Sequence, residues 1–257
     1  MKLHTYFSTL SLRTILAATA VVTGMTILLP AASASTCNTD TPISAHYQIS
    51  KHAEATKPEK FDHMVLWRRA NSVAEQYPKR AITELWERNR SNSIKLNRYF
   101  DAYQRGIEYA PGEIKDLGSD DDWSMKNQLV ANSLLAKMTL IKTIGSGCDR
   151  EEIYTLKDPQ QSITLNWLPT YRLVKSYTRN AKGQTATWWL TAKSTDIKVI
   201  NAFFEEHLDY QTTDYADIGD NESDPFLKKM INLGFIEHGS SGMYDAQGND
   251  IGGEHHH

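Results

Sequence analysis

The chain has 257 residues, 40% apolar, 23% charged and 10% aromatic, with 14 glycines and 8 prolines. Those fractions exclude collagen-like, low-complexity and wholly disordered chains. A formal net charge of −3 argues against a dedicated nucleic-acid binder, which carries a basic excess, and two cysteines are too few for a disulfide-dense miniprotein or a cysteine-built zinc site.

The first segment reads as an address. Lys2, His4 and Arg13 give a positive start, a nearly unbroken apolar run follows from Thr14 to Leu29, and Pro30 ends it. Ala32-Ser33-Ala34 then supplies the small residues a signal peptidase reads, so residues 1–34 are expected to be a signal peptide cut after Ala34. The apolar run, about 16 residues, is shorter than the ~20 that span a bilayer, and no lipobox precedes Cys37. The expectation is therefore a periplasmic or secreted protein with no stable membrane span after cleavage. Removing residues 1–34 takes away Lys2 and Arg13 and no acid, leaving 26 basic against 31 acidic side chains, a balance of −5. In an oxidising compartment Cys37 and Cys148 are most simply one disulfide. In the loop-entropy picture that bridge restrains the unfolded chain by up to ~5 kcal/mol.

Residues 35–57 are polar and are read as an irregular N-terminal segment. Pro58 suits a helix start, with Phe61, Met64, Val65, Ala70, Val73 and Ala74 on one face up to Tyr77, and Pro78 ends it. A second helix is expected over 79–108, where Ile82, Trp86, Asn89, Ser93, Leu96, Phe100, Tyr103 and Ile107 alternate spacings of four and three. Asn89 and Ser93 put a polar layer, or a small cavity, into that stripe. A third helix, Trp123 to Ile144, is capped by Asp120, Asp121 or Asp122, is apolar on nearly every side and stops at Gly145 and Gly147. Residues 58–148 thus read as a helical region.

Beyond Cys148 the period becomes two. Strands are expected at Glu151–Leu156, around Ile163–Trp167, Tyr171–Tyr177 and Ala186–Leu190, with Asn180-Ala181-Lys182-Gly183 as a hairpin turn. Helix returns at Asp196–Leu208, and Asp224-Pro225 starts a short helix that Gly234 ends. Phe235-Ile236 is read as a brief strand. Residues 149–238 make an α+β region packed on the helices, and 239–257 a flexible tail. The fold expected is α+β: an N-terminal three-helix bundle, then a small antiparallel β-meander with two additional helices.

Charge is uneven: residues 57–108 hold 11 Lys/Arg against 7 Asp/Glu, and residues 196–254 hold 3 against 13. Asp214, Asp217, Asp220 and Glu222 lie in one glycine-containing stretch and are candidate ligands for a hard cation, although their spacing is not that of an EF-hand. Solvated acids are the simpler reading, and no metal is assigned. His255, His256 and His257 chelate metals only adventitiously, because nothing fixes their geometry. Gly239-Ser240-Ser241-Gly242 is not a nucleophile elbow, and neither a phosphate-binding loop nor a dinucleotide fingerprint occurs, so no cofactor is expected. Glu206, following Phe203-Phe204, is the candidate for a carboxylate of raised pKa. Trp188 and Trp189 must point to opposite sides of a strand, leaving one for the core and one to stack on a sugar or anchor a partner.

These features suggest an exported, non-enzymatic binding or accessory protein of the bacterial envelope, its partner an envelope protein or glycan rather than a nucleic acid. The alternative is a carbohydrate- or peptidoglycan-acting hydrolase pairing Glu206 with a carboxylate of the acidic stretch.

Overall fold

Between residues 61 and 109 the backbone is extended, and side chains of both faces are buried in consecutive runs. The computed structural model describes residues 38–52, 61–114, 117–219 and 223–233. Among the described residues twelve strands form one sheet: β1 (Ile43–His52), β2 (Phe61–Arg69), β3 (Ser72–Tyr77), β4 (Ile82–Arg88), β5 (Ile94–Phe100), β6 (Arg105–Tyr109), β7 (Thr139–Ile144), β8 (Glu151–Lys157), β9 (Gln161–Leu168), β10 (Leu173–Ala181), β11 (Gln184–Ser194) and β12 (Gln211–Asp214). Their order is β12-β6-β5-β4-β3-β2-β1-β11-β10-β9-β8-β7. All neighbours are antiparallel except β12, which runs parallel to β6. The helices are α1 (Asp120–Gln128), α2 (Asn132–Lys137), α3 (Ile197–Leu208) and α4 (Pro225–Asn232), and the described residues belong to one compact unit.

This overturns the three-helix bundle and, with it, the small meander. The expected helix at 58–77 is the hairpin of β2 and β3, and the expected helix at 79–108 is β4, β5 and β6. The apolar stripe read on that second helix is one face of three strands: Ile82, Trp86, Leu96, Phe100 and Ile107 all join the same core. Asn89 and Ser93 mark the β4–β5 turn, where Asn89 Oδ1 accepts from the backbone N–H groups of Ser91 and Ser93. The third expected helix breaks into α1, α2 and β7, and Leu140, Ile141 and Ile144 are exposed on an edge strand instead of central. Part of the segment read as irregular, residues 43–52, is β1, in the middle of the sheet.

Each face of the sheet has its own cover, which decides where a site can lie. On the inner face Met64, Leu66, Val73, Trp86, Leu96 and Trp167 join Val130 between α1 and α2, Leu134 of α2, and Phe226 and Leu227 of α4. On the outer face Ala74, Leu85 and Tyr99 pack beneath Ile200, Phe203 and Phe204 of α3, and Trp67 stacks on Phe203 at 4.1 Å. Gly106 serves this outer face: a Cβ there would stand 2.7 Å from Tyr99 Cδ1, so only glycine admits the ring.

The second half follows its sequence signals more closely. β8 to β11 form the expected antiparallel series, and Lys182-Gly183, both at positive φ, make the β10–β11 turn. Asp196 and Asp224 cap α3 and α4, their carboxylates accepting from the first free amides. Ser119 and Asp122 form a reciprocal capping box at the start of α1.

Candidate functional site

The inner face carries two rows of very different character. The first runs Ala45–Leu66–Glu75–Glu84–Arg98–Ile107 across β1 to β6, each residue opposite the next. Glu75 and Glu84 are thus cross-strand neighbours, a repulsive arrangement unless cations attend them. Two do. Arg98 Nε and Nη2 donate to Glu84 Oε1 at 3.1 and 2.8 Å. Lys126 descends from α1 with its Nζ 4.0 Å from the Trp86 ring centroid and its charge felt by both glutamates. Tyr77 donates its hydroxyl to Glu75 Oε2 at 3.2 Å.

All four charged side chains are buried. Burial pushes the Glu75 carboxyl up to about 7, against the opposing pull of Lys126 and with the push of Glu84. Burial likewise pushes the Lys126 ammonium down, against the pull of Glu75 and Glu84. Helix α1 closes over this row with polar side chains: Ser124, Lys126, Asn127 and Gln128 are all buried. Arg68 ties the helix down, donating Nη1 to the Asn127 carbonyl at 2.8 Å and to the Arg172 carbonyl at 3.2 Å, and Nη2 to the Tyr171 carbonyl. A row so covered fixes a helix on the sheet and presents nothing to a ligand. It is a structural polar core.

The second row runs Ile49–Trp188–Tyr177–Leu165–Tyr154 across β1, β11, β10, β9 and β8. Here the side chains are apolar, and all but Leu165 are only half-buried while resting on the main core. Trp188 and Tyr177 lie with ring centroids 6.0 Å apart. The Tyr154 hydroxyl donates to Glu152 Oε2 at 2.7 Å, which leaves its ring as the surface it offers the row. A flat strip of aromatic and aliphatic side chains, polar only at its borders, can hold an apolar group and cannot do acid–base chemistry.

The residues singled out from sequence fall in different places. Trp188 is in the apolar row, and Trp189 lies on the outer face, 38% exposed and 6.4 Å from the Phe61 ring. The two do point to opposite faces, as a strand requires. Glu206 is exposed on α3, where its carboxylate accepts from the Tyr210 hydroxyl at 3.5 Å. Asp214 ends β12 and Asp217 sits in the short 3₁₀ turn after it, while Asp220 and Glu222 lie outside the described residues. Among the described residues no group of three or more potential ligands could hold a metal ion.

Residues 1–34, Cys37, Phe235-Ile236, Gly239-Ser240-Ser241-Gly242 and the C-terminal histidines also lie outside the described residues. Cys148 sits in a 3₁₀ turn between β7 and β8, and no described cysteine is free. Among the described residues no helix is long and apolar enough to cross a membrane.

Sequence reading missed the buried charged row and the His207 site. His207 is buried on the outer face, its Nδ1 2.8 Å from the Phe203 carbonyl oxygen and its Nε2 3.4 Å from Asp101 Oδ1. Asp101 Oδ2 accepts from the Thr83 hydroxyl at 3.0 Å, so the pair pins the end of α3 to β4. The signal for the charged row was present: Glu75, Glu84 and Arg98 share the inner-face parity of their strands, visible only once those strands are recognised.

No family model matches the chain, and no curated protein matches it. Solved structures with partial likeness include PNGF-II (13% identity, TM-score 0.35, 60% of this chain and 28% of that one). A second is the Pseudomonas aeruginosa MucA/MucB complex (12% identity, TM-score 0.30, 62% and 54%). A third is a LolA superfamily protein from Nitrosomonas europaea (9% identity, TM-score 0.27, 60% and 86%). The match spans less than a third of the PNGF-II chain. At these scores the likenesses establish neither a family nor a role for this chain.

Proposed function

We propose that the protein is an exported, non-enzymatic binding protein of the bacterial envelope, and that it holds an apolar ligand against the inner face of its sheet. The signal-peptide pattern of residues 1–34 supports export. The observation that carries the binding reading is the half-buried row Ile49–Trp188–Tyr177–Leu165–Tyr154, a connected apolar surface five strands wide. Connected apolar surface rimmed by polar groups is what ligand-binding faces look like, whereas single exposed apolar residues carry no such meaning. The hydrolase alternative gains no partner carboxylate: among the described residues the polar contact of Glu206 is the Tyr210 hydroxyl.

The test is fluorescence of N-phenyl-1-naphthylamine, which brightens in apolar surroundings. The protein is expected to bind the probe saturably, Trp188→Glu to abolish the signal, and Trp189→Glu to leave it unchanged. Equal signals from the wild type and Trp188→Glu, both folded by circular dichroism, would remove the inner face as the site.

A further inference from the structure

The outer face of β9, β10 and β11 differs from both rows of the inner face: it is neither apolar nor charged. Three rows cross it, Thr185–Asn180–Ser162, Thr187–Thr178–Thr164 and Trp189–Ser176–Asn166, each residue opposite the next. Apart from Trp189, every side chain in them carries a hydroxyl or a carboxamide. The middle row continues through Thr155 of β8 to Thr139 of β7. Strand preference accounts for the threonines, whose branched side chains suit a pleated surface. It does not account for Asn166 and Asn180, since asparagine is depleted in strands, and a face that only meets water ordinarily mixes charges of both signs.

The helix on this side, α3, packs over Ala74, Leu85 and Tyr99 of β3 to β5. Thr164, Asn180 and Trp189 are exposed. Neighbouring strands lie about 4.8 Å apart and neighbouring rows about 7 Å, so the hydroxyls and carboxamides repeat over a patch about 10 Å by 13 Å. Each of these groups both donates and accepts. The patch is partly held by its own side chains: the Thr185 hydroxyl donates to Asn180 Oδ1 at 2.7 Å, and the Thr187 and Ser50 hydroxyls share a bond of 2.6 Å. Trp189 adds a flat apolar ring at one corner, flanked by Phe61 with ring centroids 6.4 Å apart.

A pyranose ring offers the same two chemistries, C–H groups on its face and hydroxyls around its edge. The first packs on an indole ring, and the second exchanges hydrogen bonds with hydroxyls and carboxamides. An ionised ligand finds no charge of opposite sign in these three rows, and a hydrocarbon would strip their polar groups of water without replacing the bonds.

We propose that the outer face of β9 to β11 is a second binding site, for a neutral, hydroxyl-rich glycan, with one sugar ring on Trp189 and the chain lying across Ser176, Asn166, Thr178 and Thr164. This site is on the opposite face from the apolar row and stands or falls independently of it.

The experiment is calorimetric titration of the purified full chain with cellohexaose and chitohexaose, which are neutral, and with hexagalacturonate, which is anionic. At least one neutral hexamer is expected to bind saturably, and the anion more weakly. Trp189→Ala is expected to weaken that binding about tenfold, the order of a truncated aromatic anchor. Thr164→Val keeps the side-chain shape and removes the hydroxyl, and is expected to weaken it about fivefold, the order of one hydrogen bond. Both variants are expected to melt with the wild type and to keep the naphthylamine signal of the inner face. Binding of neither neutral hexamer overturns the proposal, as does tighter binding of hexagalacturonate. Neutral binding that survives both substitutions places the glycan elsewhere and overturns the assignment, and a loss with Trp189→Ala alone overturns the hydroxyl rows as the contact surface.

Discussion

Replacing Glu75 by glutamine tests the electrostatics of the inner face, because the sign of its effect depends on whether burial or the Lys126 charge governs the carboxyl. In the fold the carboxyl titrates at about 7, against 4.5 when unperturbed, chiefly because burial disfavours the anion. Between those two values the folded state keeps a proton that the unfolded chain has released. The contribution of Glu75 to stability is therefore full below pH 4.5 and is lost as pH rises to about 7. At about 1.4 kcal/mol for each pKa unit, the loss is on the order of 3 kcal/mol. Glutamine binds no proton, so urea unfolding of Glu75→Gln is expected to lack this decline. The stability difference between variant and wild type should move by about 3 kcal/mol in favour of the variant between pH 4.5 and pH 8. Groups that titrate in both proteins cancel in that difference. Parallel pH profiles would refute the reasoning, and a variant that becomes relatively weaker at pH 8 would show that the Lys126 pairing outweighs burial.

Arg98→Met leaves the Glu84 carboxylate buried without its donor and is expected to cost about 3–5 kcal/mol, whereas Glu84→Gln/Arg98→Met recovers part of that loss; chemical denaturation of both variants checks it. His207 has its pKa raised: burial lowers it, but the Asp101 carboxylate and the Phe203 carbonyl outweigh burial. Its stabilisation is thus full below the unfolded value near 6.5 and is lost as pH rises through the folded one, and His207→Gln should flatten the thermal stability profile in that window. Gly106→Ala drives a methyl into the Tyr99 ring and is expected to lower stability by about 1–3 kcal/mol, seen as an earlier urea midpoint. Intact mass of natively produced protein should match a chain starting at Ser35 and lacking two hydrogens for the proposed Cys37–Cys148 bridge; retention of Met1 or two free thiols would remove export and bridge respectively.

How much of this the sequence disclosed depended on turns and on faces. In β10 and β11 one face is apolar and the turn is Lys182-Gly183, with glycine where positive φ is needed, so both strands and the turn were legible. In β2 to β6 the turns are closed at Ala70, Ala81, Asn92 and Gln104, all at positive φ and only Asn92 of a type that advertises it. Those strands are also covered on both faces, so Ile82, Leu85 and Trp86 are buried together and the alternation vanishes. What remains is apolar spacing of three and four, which mimics a helix. Caps survived the error: Asp196 and Asp224 mark α3 and α4 in sequence and in structure alike. Of the site, Trp188 was legible as an aromatic on a strand, but its partners Ile49, Tyr177 and Tyr154 become neighbours only through the order β1-β11-β10-β9-β8.

The most direct measurement of that neighbourhood is photo-crosslinking with an alkyl chain carrying a diazirine, followed by mass-spectrometric mapping of the labelled residues. The apolar track predicts saturable labelling concentrated at Ile49, Trp188, Tyr177 and Tyr154. Labelling that clusters instead around Trp189 and Phe61 on the opposite face, or that a tenfold excess of unlabelled chain fails to reduce, would contradict it.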